Sequence, residues 1–300
     1  MANLLVLGAG WVGSAVADVA RSHPQVREVL VVDPPFDDHL AARDESATEA
    51  LRALVAQGGI TTVLNACGRV HGDEDELDDA NHRFVAWLCA ALAGTGVRLV
   101  HVGSASEYGD PGSADPVDEA TPARPVGAYA TTKAAGTEVV LAARRDGLEA
   151  TVARVFNIVG HPVPAVSPLH QWTSDLAALG PDGGEVVVWW PPTTRDFVMI
   201  DDVARALVDL AVLDGPLPPL VNVCSGVGLR FGEIVDALAA AMGVAASIRS
   251  LDRPGIEAVV GDPGLLASTI GWAPTMSATA LAQRATGASA SSGGAGGTSR

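Results

Sequence analysis

The chain has 300 residues, is 48% hydrophobic and carries a formal net charge of -16. That is enough apolar material for one large or two modest domains, and so acidic a chain is unsuited to nucleic acid or an anionic membrane as partner. Cys67, Cys89 and Cys224 are too few and too scattered for a disulfide framework or metal site, and the histidines show no paired ligand spacing. No metal is expected, and reduced thiols suit a cytoplasmic protein.

Asn3 to Leu7 reads as a strand, and Gly8-Ala9-Gly10-Trp11-Val12-Gly13 leads from it into a helix over Ser14 to Ser22. These glycines interrupt the apolar stretch and no basic leader precedes it, so neither an export signal nor a membrane span is expected. A GxGxxG turn between strand and helix brings backbone close to a pyrophosphate at a positive helix N-terminus; a purely structural turn has the same composition. Asp33 closes the next strand, Val29 to Val32. A carboxylate there accepts from both ribose hydroxyls of an adenosine and repels a 2′-phosphate. Pro34, Pro35 and Phe36 follow in place of an arginine, so NAD(H) is favoured over NADP(H).

A strand near Leu40 to Ala42 is weakly written, which suggests an abbreviated crossover before the helix Thr48 to Gln57 and the strand Thr62 to Leu64. The acidic run Asp73-Glu74-Asp75-Glu76, with Asp78 and Asp79, reads as a solvated loop entering a helix over Asn81 to Ala93. The strand Arg98 to Val102 then delivers Gly103-Ser104-Ala105-Ser106-Glu107-Tyr108-Gly109, a helix covers Val126 to Arg145, and Ala150 to Val155 is the next strand. Strands alternating with helices define an α/β class with a doubly wound parallel sheet.

Lys133 is the only lysine, and one of only two tyrosines, Tyr129, stands four residues before it. On a helix the two share a face, where the ammonium is expected to lower the phenol's pKa by about 1 to 3 units and ready it for acid/base work. Ser104, at the strand end where such sheets bind ligands, can orient the reacting oxygen. An exposed amphipathic helix and a serine-rich turn are the structural alternatives.

After residue 157 a series of prolines, among them Pro162, Pro181, Pro191 and Pro219, breaks the chain into short elements, though helices are expected at Asp201 to Val212 and Phe231 to Met242. The organisation expected is a dinucleotide-binding domain over 1–157, receiving elements from about 196–224, a substrate lobe over 158–284, and a disordered Gly/Ser/Ala tail over 285–300. Trp172, Trp189 and Trp190 either line a pocket in that lobe or, the preferred reading, fill its core.

Taken in order, the glycine turn, the acidic strand end, the serine strand end and Tyr129-Ala-Thr-Thr-Lys133 resemble the extended short-chain dehydrogenase/reductase superfamily, the NAD-dependent epimerase/dehydratase family. The likeness runs through most of residues 3 to 275. It includes Asn65-Ala66-Cys67-Gly68, Arg154-Val155-Phe156-Asn157, Arg195-Asp196-Phe197, Val221-Asn222-Val223, Arg253-Pro254-Gly255 and Gly261-Asp262-Pro263. The resemblance implies a Rossmann domain and a nucleotide-sugar substrate. Ser104, Tyr129 and Lys133 would be catalytic. Gly8, Gly10, Trp11, Val12, Gly13, Asp33, Ala66, Cys67, Gly68, Tyr129, Lys133 and Phe156 would lie on the cofactor, and Ser104, Ser106, Asn157, Arg195 and Arg253 on the substrate. A homodimer through paired helices is a further family expectation.

Two departures narrow this. Leu7 stands where the extended branch usually has the first glycine of GxxGxxG, and the carboxylate that sugar 4,6-dehydratases carry two residues before the YG tyrosine is replaced by Ser106. Elimination of water needs a further acid and base, so dehydration is not expected. The short spacing from Asn157 to Arg195 and the Ser-x-x-Glu-Tyr-Gly run look most like GDP-4-keto-6-deoxymannose reductases. The expected activity is therefore reduction of a 4-keto nucleotide sugar. A 4-epimerase is the second reading, and a non-catalytic dinucleotide-binding protein or redox sensor is the alternative of another class.

Overall fold

The computed structural model describes residues 1–33, 40, 42–165, 167–180, 182–253 and 255–287. Pro34 to Phe36, His39, Pro181, Pro254 and 288–300, on which some of the expectations above fall, lie outside them. The strands are β1 (Ala2–Leu7), β2 (Val26–Val32), β3 (Thr62–Asn65), β4 (Arg98–Ser104), β5 (Ala150–Val155), β6 (Asn157–Val159), β7 (Gly184–Val188), β8 (Thr194–Met199), β9 (Leu220–Val223), β10 (Gly228–Arg230), β11 (Ala246–Ser250) and β12 (Ala258–Val259). The chain divides into two compact units, the first comprising 1–158, 194–228 and 256–275.

The first unit is built on a six-stranded sheet in the order β2-β1-β3-β4-β5-β9, parallel throughout. Alternation along each strand feeds two apolar layers: Leu5, Leu7, Val63, Leu99 and Val152 face one side, and Leu4, Val6, Leu64, Val100 and Ala153 the other. Helices must cover both faces of such a sheet. On the first side lie α2 (Glu45–Gln57), α4 (Phe84–Leu92) and α5 (Ala128–Arg145), contributing among others Leu51, Leu88 and Val140. On the second, α1 (Trp11–Ser22) brings Val16 and Ala20, and α7 (Ile200–Val212) brings Val203, Leu207 and Leu210.

The chain leaves β1 for β2 on one side and later returns to β3 on the other, which opens the sheet at the C-terminal ends of β1 and β3. No strand stands at the described residues near Leu40 to Ala42; Leu40 is buried in the core and α2 makes the return to β3 directly. The acidic run is a helix rather than a loop. Asp73 caps α3 (Glu74–Asp78) in a reciprocal box with Glu76, and a π-helical turn over Asp79–Arg83 joins α3 to α4. Four of its carboxylates pair with arginines: Glu76 with Arg69, Asp75 and Asp78 with Arg83, and Asp79 with Arg43.

Residues 256–275, assigned by sequence to the second lobe, belong to the first unit. Val117 donates to the Val260 carbonyl and receives from the Asp262 amide, Leu266 of α9 (Gly264–Ile270) is buried in the second apolar layer, and the Trp272 indole donates to the Cys224 carbonyl. These long-range contacts leave no periodic trace in sequence.

The second unit comprises 159–193, 229–255 and 276 onward. In it β7 and β11 pair in parallel, and α8 (Phe231–Met242) packs on α6 (Pro168–Ala177) and α10 (Ala278–Thr286). Trp172 is buried with its ring 5.0 Å from Phe231, edge to face, as a core residue; Trp189 is exposed and Trp190 half-buried. Ala285 and Thr286, placed in the tail by the sequence, belong to α10, and Ala285 is buried. Among the described residues no helix is long and apolar enough to cross a membrane.

Candidate active site

The glycine turn occupies the mouth between β1 and β3. Gly8 has a φ of +97°, and a Cβ there would stand 2.9 Å from the Cys67 amide nitrogen, so the turn touches the end of β3 directly. A Cβ on Gly13 would fall 1.8 Å from the Gly8 carbonyl oxygen, whereas one on Gly10 would meet nothing within 4 Å. Two glycines thus hold the turn shut, and the third leaves open space at the N-terminus of α1, whose N-cap makes no side-chain hydrogen bond. Trp11 and Val12 are half-buried in the first turn of that helix. Asp33 ends β2, half-buried and close enough to Cys67 for its charge to act on the thiol. An uncapped helix start, open space before it and a carboxylate at the next strand end fit a dinucleotide's pyrophosphate and adenosine ribose. Substituting Ala at Gly13 is expected to weaken NADH binding by about tenfold or more, read by quenching of intrinsic fluorescence; unaltered affinity would remove the turn from the site.

The floor beside β3 is held by two asparagines whose roles lay hidden in sequence. The buried Asn65 side chain accepts from the Cys67 amide at 3.1 Å and contacts the ring of the fully buried His101. Asn81, in the π-helical turn, accepts from the Arg69 amide at 2.9 Å and donates to the Arg69 carbonyl and the Thr132 hydroxyl. A Cβ on Gly68 would meet the Asn81 side-chain oxygen at 2.9 Å, which explains the glycine in Ala66-Cys67-Gly68. An asparagine on the inward face of an apolar helix was the one local signal.

Ser104 ends β4, and its hydroxyl stands 2.8 Å from that of Ser106 on the following 3-10 turn, Ala105–Tyr108. Tyr129 lies in the first turn of α5, its phenol near enough to the Ser104 side chain for that group to act on its acidity. One turn on, Lys133 is 5% exposed, and its ammonium donates to the Val102 carbonyl at 2.6 Å. Ser104, Tyr129 and Lys133 therefore share one end of the sheet. The expected lowering of the phenol's pKa by Lys133 is not what the fold produces. Burial pushes Tyr129 up, the Ser104 side chain pulls it partly back, and the Glu107 carboxylate raises it again. Lys133 itself is pushed down by burial.

Behind this trio lies a buried polar network. Glu107 is fully buried; its carboxylate accepts from the Ser104 amide at 2.8 Å and from Arg154 Nε at 2.9 Å. The Arg154 guanidinium stacks 4.6 Å over the Tyr108 ring, and the Tyr108 hydroxyl donates to the Asn222 side-chain oxygen at 2.7 Å. Glu107 thus turns inward, away from the open face where a dehydratase acid would act. Phe156, expected on the cofactor, is 3% exposed and clusters with Tyr108 and Cys224.

Among the expected substrate residues, Asn157 is exposed and donates to the Asp196 carbonyl at 2.6 Å. Arg195 is half-buried, donating to the carbonyl of Thr194 on its own strand and to that of Ile256, just before β12. Asp196 is structural: its carboxylate gathers the Ser225 amide and hydroxyl and the amides of Gly226 and Gly261, clamping two loops to β8. Arg253, exposed, belongs to the second unit. Burial pushes the thiols of Cys67 and Cys89 up to about 12 and that of Cys224 further. All three are expected to resist a thiol reagent in the native protein at neutral pH, and rapid labelling of any one would contradict their burial. Among the described residues no cluster of side chains is arranged to hold a metal.

A six-stranded parallel sheet with a glycine turn at its switch point is a Rossmann-like fold. The chain belongs to the NAD dependent epimerase/dehydratase family, whose model matches residues 4–224. It is 33% identical over 267 residues to a dTDP-6-deoxy-L-talose 4-dehydrogenase (NAD(P)(+)) of Kitasatospora kifunensis, covering 84% of this chain and 83% of that protein. It is 26% identical over 270 residues to a UDP-glucose 4-epimerase of Corynebacterium glutamicum, covering 79% of each. The solved structure of RMD from Pseudomonas aeruginosa complexed with NADPH superposes with a TM-score of 0.78 at 20% identity, over 95% of this chain and 96% of that one.

Proposed function

We propose that this protein is an NAD(P)-dependent oxidoreductase that reduces the 4-keto group of a nucleotide-linked deoxyhexose. The observation that carries the reading is the placement of Ser104 at the end of β4 and Tyr129 in the first turn of α5, one helical turn from a buried Lys133 whose ammonium donates to the Val102 carbonyl of the same strand. When bound, the reduced nicotinamide supplies a hydride to the carbonyl carbon. The chain's own task is to orient the carbonyl oxygen through Ser104 and to give it the Tyr129 proton as it becomes an alkoxide. A phenol kept neutral by burial suits a proton donor.

The relative at 33% identity supports the choice of C4, because a 4-dehydrogenase run in reverse is a 4-ketoreductase. The inward-turned Glu107 argues against dehydration. The epimerase relative keeps a second reading, oxidation and re-reduction at the same carbon, in which Tyr129 first takes a proton. Incubation with 4-keto-6-deoxyhexose and hexose nucleotides separates them: net NADH consumption supports the reductase, interconversion without added cofactor supports the epimerase, and inactivity towards both would leave a dinucleotide-binding protein.

Asp33 favours NAD(H), its carboxylate matching a free ribose diol and repelling a 2′-phosphate. Binding at least about tenfold tighter for NADPH than for NADH would overturn that preference. Lys133→Arg is expected to lose most of the turnover although charge is kept, because the buried slot that leads to the Val102 carbonyl fits a compact ammonium. Near-normal turnover would show that charge alone suffices.

A further inference from the structure

We propose that Glu107 is a positioning residue of this site: clamped between the Ser104 amide and the Arg154 guanidinium, its carboxylate fixes the serine beside Tyr129 and places a negative charge behind the phenol, biasing the site toward proton donation. The proposal rests on the reading of Tyr129 as the proton donor and extends it to the direction of the reaction.

The geometry is specific. One carboxylate oxygen receives the amide of Ser104 and the other receives Arg154 Nε, at 2.8 and 2.9 Å, so rotation of Glu107 would break both bonds. A Cβ on Gly103 would stand 2.9 Å from the first of these oxygens, so the strand end has room for this carboxylate only because residue 103 is glycine. The ion pair is sealed: Glu107 is 0% and Arg154 5% exposed on their side chains. A hydrogen bond for the Ser104 amide alone would not require a charge. Burying one, with a matched arginine on β5, is an expensive way to anchor a turn and points to a use for the charge itself.

That charge acts on both reactive groups of α5. It disfavours the phenolate of Tyr129 and favours the ammonium of Lys133, opposing the burial that pushes the lysine down. Cys67 would assist Lys133 only as a thiolate, and its own burial holds it as a neutral thiol, which leaves Glu107 as the compensating anion. Arg154 bears on Tyr108 rather than on Tyr129. Of the charged groups in α3 and the π-helical turn, which pack against α5, Asp75, Glu76, Asp78 and Asp79 pair with arginines, Asp78 also with His82, and Glu74 is exposed. Asp33 acts on Cys67 from β2. A neutral phenol beside a charged lysine is the state from which a proton is given to a forming alkoxide. The electron pair of the carbonyl π bond goes to oxygen, the Tyr129 proton follows, and the reduced nicotinamide dinucleotide is the reductant.

The two-tyrosine composition makes this testable without substrate. Full-length protein grown with difluorinated tyrosine, whose phenol ionises well below that of tyrosine and so within the stable range of the fold, should give two fluorine resonances, assigned by Tyr129→Phe. Glu107→Gln is expected to lower the Tyr129 titration midpoint by about half a unit to one unit, and Glu107→Asp to keep it near the wild-type value. In the reduction assay the alkaline limb of the rate should move down with it. A folded Glu107→Gln protein whose Tyr129 midpoint is unchanged or raised would overturn the proposal. If Glu107→Gln does not fold, the Glu107→Gln/Arg154→Met protein, which leaves no buried charge unpaired, is titrated with the same expectation and the same overturning result. The two readings fail separately: a shifted midpoint without reduction of any 4-keto sugar retains Glu107's role and rejects the reaction, whereas reduction with an unmoved midpoint does the reverse.

Discussion

Tyr129→Phe is expected to slow turnover by about 10²- to 10⁴-fold while NADH affinity stays within about twofold. The ring that packs in the first turn of α5 is kept, and only the hydroxyl beside Ser104 is lost. Substrate binding and helix packing should survive, so the loss should appear in kcat far more than in KM. A protein retaining more than about a tenth of its turnover would show that the proton comes from elsewhere. Ser104→Ala should fall between this variant and the wild type, since it removes a hydroxyl that orients the substrate oxygen in the proposed reaction but not the proton donor.

The second large effect concerns stability. Arg154→Met strips the partner from a fully buried carboxylate and is expected to destabilise the protein by about 3 to 5 kcal/mol. Pairing it with Glu107→Leu removes both charges and should recover much of that loss, because an apolar pair avoids the desolvation of two ions. The measurement is urea unfolding of the four proteins of the double-mutant cycle. If Arg154→Met alone falls by less than about 1 kcal/mol, the carboxylate is reached by water or another donor and the sealed pair is a misreading. The cation over Tyr108 is lost in both Arg154 variants, so it cancels when they are compared.

These two predictions separate what Glu107 and Tyr129 do although they lie on one connected network. In the proposed reaction the phenol acts on the substrate oxygen, and the carboxylate behind it holds the Ser104 amide and the Arg154 guanidinium. Loss of the first should leave a stable, nearly silent protein, and loss of the second's partner should leave an unstable one.

The sheet, its helices and the positions of Ser104, Tyr129 and Lys133 follow from local patterns. Alternation in Ala150–Val155, the apolar face of Phe231–Met242 and the spacing of Tyr129 and Lys133 are properties of short segments, and they predict the elements whatever else the chain does. The glycines at 8 and 13 are equally legible, because a tight turn between strand and helix demands them. What tertiary structure alone decided lies between distant segments. Glu107 meets Arg154 47 residues away, Asn81 reaches Thr132 51 residues on, and Asp196 gathers Gly261 65 residues later. The pairing of buried charge depends on which strands become neighbours, and β4 and β5 are joined only when the sheet closes. The direction of the Tyr129 shift is of the same kind. A lysine four residues away argues for a lowered pKa, but desolvation is a property of the packed environment, and in this fold burial with Glu107 behind it raises the phenol instead.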